Sequence, residues 1–295
     1  MSDTLLDAVA NALINLAHHA GLTVAIGAVT LRVLVLSRCG LTVSELAPKA
    51  GEAARAGLGG AVLLLASAPL RALDQVRTLV DPGEPWLPVL QGVLGTSVGK
   101  ALLLQAIWAA AAIVAFLVAR QGRDRGWKIA TIALVILALT PGLTGHAATA
   151  SSPTLALAAA TTHVWGAGLW IGGLFHLWRL TGHASDATLR RALGAFHPVA
   201  MVGVALLVMS GLYHTWSTLG PLANLVETSW GRLLSLKLVL VLAVLALGYK
   251  HWRSAERAVE AGDRSGLRQS IGHEALLALA VLVVTSVLTS TAKPL

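Results

Sequence analysis

The chain has 295 residues, 56% of them apolar and 12% charged, with a mean hydropathy of +0.73. Soluble domains carry about 25% charged residues, so this chain has too few polar side chains to coat a water-facing surface, which excludes a disordered chain, a coiled coil and most cytosolic enzymes. The net charge of +8 is spread between apolar runs rather than gathered on one face, so it argues against nucleic acid as a partner and reads as a topology signal in a lipid bilayer.

Eight apolar stretches reach the roughly 20 residues that a bilayer core demands of a helix. They are 8–35, 52–70, 96–119, 127–146, 154–178, 190–216, 230–250 and 270–291. Their continuity predicts an all-α polytopic membrane protein of eight transmembrane helices, because barrel strands alternate in segments of about ten residues. Asp81-Pro82-Gly83, Gly122-Arg123-Asp124 and Gly262-Asp263-Arg264 punctuate the runs. The first turns carry Asp3 and Asp7 and no basic segment, unlike a cleavable leader.

Lys and Arg set the orientation. Arg38, Lys49 and Arg55 follow span 1, and Arg120, Arg123, Arg125 and Lys128 follow span 3. Arg179, Arg190 and Arg191 follow span 5, and Lys250, Arg253, Arg257, Arg264 and Arg268 follow span 7. The other side holds Arg71, Arg77 and Lys293. The positive-inside rule makes the richer side cytoplasmic, which puts both termini and the connection 145–153 outside. Trp86, Trp216 and Trp230 fall at outer boundaries and Trp127, Trp178 and Trp252 at inner ones, as an aromatic belt requires.

The two halves, 1–148 and 149–295, resemble each other. His18, Gly21, Ile26 and Gly27 recur 145 positions on as His163, Gly166, Ile171 and Gly172, as do Thr140 and Thr144 in Thr285 and Thr289. Thr96-Ser97-x-Gly99-Lys100 recurs 132 positions on as Thr228-Ser229-x-Gly231-Arg232. Two repeats of four helices each would lie parallel in the membrane, with sites at their interface.

Ionisable groups within spans are costly and mark function by default. Of the ten histidines, His176, His183, His251 and His273 fall at cytoplasmic ends and are expected to be interfacial or solvated. His18, His19, His146, His163 and His214 gather in the outer half. Neutral imidazole is the commonest metal ligand and suits copper, and thioether joins it for Cu(I). Met201 and Met209 stand eight residues apart on one helix face, with His197 one turn before Met201, so His197, Met201, Met209 and His214 line up as a candidate ladder along span 6. Asp or Glu is not expected to be buried in any span, which argues against hard-cation transport and a carboxylate proton relay. Lys237 lies deep in span 7 and needs a carboxylate, a carbonyl or water beside it. The chain shows no Walker motif, and the single Cys39 excludes a disulfide scaffold or a thiolate cluster.

Several of these motifs, taken in order, resemble the copper resistance protein D (CopD) family. They are Thr144-Gly145-His146-Ala147; His163 followed by Trp170-Ile171-Gly172-Gly173-Leu174; Ser210-Gly211-Leu212-Tyr213-x-x-Trp216; and Thr228-Ser229-x-Gly231-Arg232-Leu233-Leu234 with Lys237. The resemblance covers spans 4 to 7 and implies an inner-membrane protein of copper homeostasis, served by a separate periplasmic copper-binding protein of the CopC type. It points to His146 and His163 as site residues, whereas His197 departs from the family pattern. The resulting expectation is a copper importer, not an enzyme, with His18, His19, His146 and His163 outermost and Met209 and His214 handing copper inward. The rival readings are a b-type cytochrome clamping haem between His18 and His163 or His214, and a scaffold that holds copper without moving it.

Overall fold

The computed structural model describes residues 2–144, 152–260 and 263–294. Among the described residues there is no strand. Helix α1 (Ser2–Val29) runs on into a π-helical segment, Thr30–Val35, and a 3-10 turn, Leu36–Arg38. It is followed by α2 (Val43–Leu79), α3 (Trp86–Gly95), α4 (Ser97–Arg120), α5 (Asp124–Leu137) and α6 (Thr140–Thr144). The second half holds α7 (Pro153–Ala167), a π-helical segment Gly168–Gly172, α8 (Gly173–Leu180), α9 (Asp186–Leu219), α10 (Asn224–Glu227), α11 (Ser229–Glu260) and α12 (Arg264–Ser290).

Among the described residues, seven helices are long and apolar enough to cross a membrane, against the eight expected. The missing one is 154–178. It is helical throughout, as segments of 15, 5 and 8 residues, but Thr161, Thr162, His163 and four glycines dilute its apolar content. Helix α2 starts well before the expected position 52 because Thr42 and Glu45 form a capping box: the Thr42 hydroxyl accepts from the Glu45 N–H at 3.4 Å and the Glu45 carboxylate accepts from the Thr42 N–H at 2.9 Å. Helix α3, ten largely apolar residues, is an element that hydropathy over a span-length window does not mark. Two punctuation sites are turns as expected, closed by Gly83 (φ 90°) and Gly122 (φ 77°), conformations that only glycine adopts freely.

Helix α1 is the most buried of the seven spans and α11 the least. α1 packs against α2 on one side, α12 on another, and the π segment and α8 on a third. Lipid offers no hydrophobic drive for helix association, so small residues that let backbones close up carry the packing. A Cβ on Gly21 would lie 2.8 Å from the Gly60 carbonyl, and one on Gly166 would lie 2.8 Å from the Gly203 carbonyl. Gly27 and Gly172 meet backbone to backbone where α1 crosses the second half. The two Thr-Ser-x-Gly corners are built alike, with Thr96 capping Gly99 N–H at 3.1 Å and Thr228 capping Gly231 N–H at 2.9 Å.

Ion pairs mark the two ends of the bundle. Asp7–Arg77 (2.6 Å) sits at the end where α1 begins and α12 finishes. Arg32–Asp124 (2.7 Å) and Arg264–Asp186 (3.0 Å) sit at the opposite end, where His183 Nε2 also meets the Glu52 carboxylate at 2.8 Å. Inside the first half, fully buried Gln105 donates to the Leu64 carbonyl (2.8 Å) and to the Ser67 hydroxyl (3.0 Å), joining α4 to α2. Gln105→Leu is expected to lower stability by about 1–2 kcal/mol, since it strips several interhelical hydrogen bonds at once. Thermal unfolding in detergent reads this as a melting point several degrees lower.

Candidate metal site

Four of the histidines singled out in the sequence lie in the half of the bundle nearer the chain termini: His18 and His19 on α1, His163 on α7 and His214 on α9. The His163 and His214 rings are 5.9 Å apart between centroids and nearly perpendicular. His18 and His19 stand 5.7 Å apart, also edge to face.

Two serines decide what these rings can do. Ser210 on α9 donates its hydroxyl proton to the Leu206 carbonyl at 2.6 Å. A hydroxyl has one proton to give, so the 3.0 Å contact with His163 Nδ1 has the imidazole donating. Neutral His163 then carries its lone pair on Nε2. Ser286 on α12 repeats the device: its hydroxyl donates to the Leu282 carbonyl at 2.8 Å and accepts from His19 Nδ1 at 3.4 Å. His19 thereby also has Nε2 as its lone-pair nitrogen. Metal-bound histidines regularly hold their other N–H against such an acceptor, which fixes the tautomer and ring orientation.

His214 is hydrogen-bonded to the Ala159 backbone and lies edge to face with Tyr213 at 5.8 Å, and two cations approach the rings. Lys237 on α11 lies within electrostatic reach of His19, His163 and His214. Arg71 on α2 sits beside His18 and His19, and its guanidinium donates to Thr144 Oγ1 at 2.9 Å and to Gln105 Oε1 at 3.4 Å. His18 is 2% exposed, and neither of its ring nitrogens has a hydrogen-bond partner. Among the described residues, no three His, Cys, Asp or Glu stand close enough to hold a metal as they are.

The other candidates are not gathered with this cluster. Met201 and Met209 do share a face of α9, but it is the outer one: they are 57% and 68% exposed. His197 is half-buried more than three turns along α9 from Ser210. His146 lies outside the described residues. Cys39 is buried at the opposite end with its Sγ donating to the Val35 carbonyl at 3.3 Å. Burial pushes its thiol up, more than nearby Arg191 pulls it down, so it stays protonated and is a poor metal ligand.

Two expectations are corrected. His176, expected at the interface, is 2% exposed, with Nε2 3.0 Å from the Val24 carbonyl of α1. Glu274, in a span expected to bury no carboxylate, is 5% exposed; Gly248 of α11 leaves the space its carboxylate fills. Counting depth along a hydrophobic run says nothing about the face a residue turns to its neighbours. Ser210 and Ser286 were passed over as site residues, although Ser210 stands within a quoted motif and Ser286 follows Thr285 of the duplicated segment.

The family model for the copper resistance protein D-like N-terminal domain matches residues 1–154, and that for copper resistance protein D matches residues 190–288. The copper transport protein CutJ of Bacillus subtilis (strain 168) is 26% identical over 251 residues, which cover 80% of this chain and 46% of the relative. The chain thus spans about half the length of that curated relative. No solved structure matches. Helical membrane architecture, the histidine cluster and both matches lead to one statement of kinship: the chain belongs to the copper resistance protein D family.

Proposed function

We propose that the protein moves copper from the periplasm to the cytoplasm, taking it at His19, His163 and His214. The observation that carries this reading is the pair of serine-set tautomers. His19 and His163 come from opposite halves of the chain, and each has Nδ1–H donated to a serine whose own proton is spent on its helix, so each keeps Nε2 for a metal. Imidazole donors suit copper, and the relative CutJ is named for copper transport. His18 and His146 are read as outer neighbours of this receiving site. The role is transport of copper as cargo rather than catalysis, with a separate CopC-like donor on the periplasmic side.

The same reading takes the run 153–180 as an eighth span, both termini as periplasmic, and the halves as two parallel four-helix repeats. The paired glycine crossings and the twin Thr-Ser-x-Gly corners support the repeat, since each contact recurs at a matched position.

Copper uptake into proteoliposomes, with equilibrium copper binding alongside, tests the reading. Ser210→Ala and Ser286→Ala are each expected to weaken copper binding about 10- to 100-fold, the usual loss when a ligand's supporting acceptor is removed. His163→Ala is expected to stop uptake. Unchanged binding and flux in all three would remove the site. A haem protein would instead purify with a Soret band.

A further inference from the structure

At the end of the bundle opposite the histidine cluster lies a cavity of about 10 Å³, room for about one water or ion. His176, His183 and Glu52 line it, with Leu31 of the first π segment and with Lys49 and Arg179 beside them. His176 on α8 obeys the same rule as His19 and His163. Its Nε2 is 3.0 Å from the Val24 carbonyl, and a carbonyl only accepts, so Nε2 carries the proton and Nδ1 the lone pair. His183, just past α8, meets Glu52 of α2 through Nε2 and Oε2 at 2.8 Å. Lys49, which donates to the Glu45 carbonyl at 2.9 Å, and Arg179, which lies over the Phe175 ring at 6.0 Å, complete the wall, and Arg55 approaches Glu52 at 4.0 Å.

Two imidazoles and a carboxylate, drawn from α8, its following loop and α2, are donors for a borderline transition metal rather than for calcium or magnesium. His163 and His176 stand on one continuous helical run, thirteen residues and therefore about 20 Å apart. The π segment Gly168–Gly172 lies between them, and such irregular turns recur at functional sites.

We propose that His176, His183 and Glu52 form a second metal site, for copper, at the end of the bundle opposite the His19–His163–His214 cluster. The ion enters between His183 and Glu52, opening their present contact, and draws in Nδ1 of His176. Its role as the release station of a transport path rests on the function proposed above; its existence as a metal site does not.

The test is Cu(II) titration of the full-length protein in nanodiscs against a chromophoric competitor, followed by uptake into vesicles. The wild-type protein is expected to bind two ions. The double variant Glu52→Gln/His183→Ala is expected to keep one ion and to lose about tenfold in flux. His163→Ala is expected to keep the other. His176→Gln, which retains a side chain able to donate to Val24, provides an independent second variant and is expected to lose the same ion as the double variant. Two ions retained in both the double variant and His176→Gln overturn the inner site. A single wild-type ion that disappears with His163→Ala also overturns it, while leaving the copper reading intact. A single ion lost only with the double variant upholds the inner site and removes the receiving one. A purely structural His183–Glu52 contact would lower the melting temperature without changing the ion count, and that outcome counts against the proposal.

Discussion

Gly172→Val is expected to yield no folded, monodisperse protein. A Cβ at that position would fall on the Thr23 carbonyl and against the backbone of Gly27. Both neighbours are main chain of α1, so no side chain can rotate out of the way. The helices would have to separate, exposing Ile26, Leu22 and Leu174, all buried at the crossing, and pulling His176 from the Val24 carbonyl. Ordinary overpacking costs about 1–3 kcal/mol, but a main-chain clash between two central helices threatens the whole of a stability that rarely exceeds about 15 kcal/mol. Gly59→Ala is the control, because nothing lies within 4 Å of its Cβ position. It is expected to behave as wild type or slightly better. Size-exclusion profiles and melting curves separate the two, and a Gly172→Val protein that melts normally would refute the crossing.

Lys237→Gln is expected to raise copper affinity about 10- to 100-fold while slowing its passage. No carboxylate balances Lys237 among the described residues, and its ammonium shares its surroundings with three imidazoles. Two unit charges about 6 Å apart at an effective dielectric near 20 repel by about 3 kcal/mol, so the lysine opposes any cation that settles there. The choice of glutamine comes from the chain itself. Gln105 stands 132 positions earlier, at the matched place in the first half, and binds Ser67 and the Leu64 carbonyl. Ser210 and Leu207 are the counterparts 143 positions on, and Ser210 likewise bonds back to Leu207 at 3.3 Å. The substitution therefore places at 237 the residue type that the first half carries at the matched position. Competition titration measures the affinity and vesicle flux the passage; an affinity unchanged or lowered would show that the lysine does not repel the cargo.

The architecture was largely legible because hydropathy answers a question of length and composition. Where it failed, it failed for reasons of the same kind. Ten residues of α3 are too few to register as a span, and His163 with its neighbouring threonines and glycines keeps 153–180 from holding a continuous apolar stretch of spanning length. The site was legible by residue type but not by direction. Met201 and Met209 do share a face, as their spacing requires, yet periodicity cannot say whether that face meets lipid or protein. His176 was assigned to the interface by its distance from a span end, whereas its burial depends on how α8 rotates against Val24. Ser210 and Ser286 had no distinctive signal of their own, because a serine bonded back to its own helix is commonplace. Their meaning appears only when a ring from another helix is found against the same oxygen.

The order in which the helices leave the ribosome gives the buried position of α1 a further meaning. The most enclosed of these helices precedes its partners in the sequence, and Asn15 and His19 find Ser290 and Ser286 (2.9 and 3.4 Å), 275 and 267 residues further on, only once α12 is in place. Until then a polar seam on α1 has no companion in the hydrocarbon. A newly inserted α1 therefore has either to be sheltered at the insertion machinery or to wait near the interface until α12 arrives, a closure over long sequence separation of the kind that slows folding.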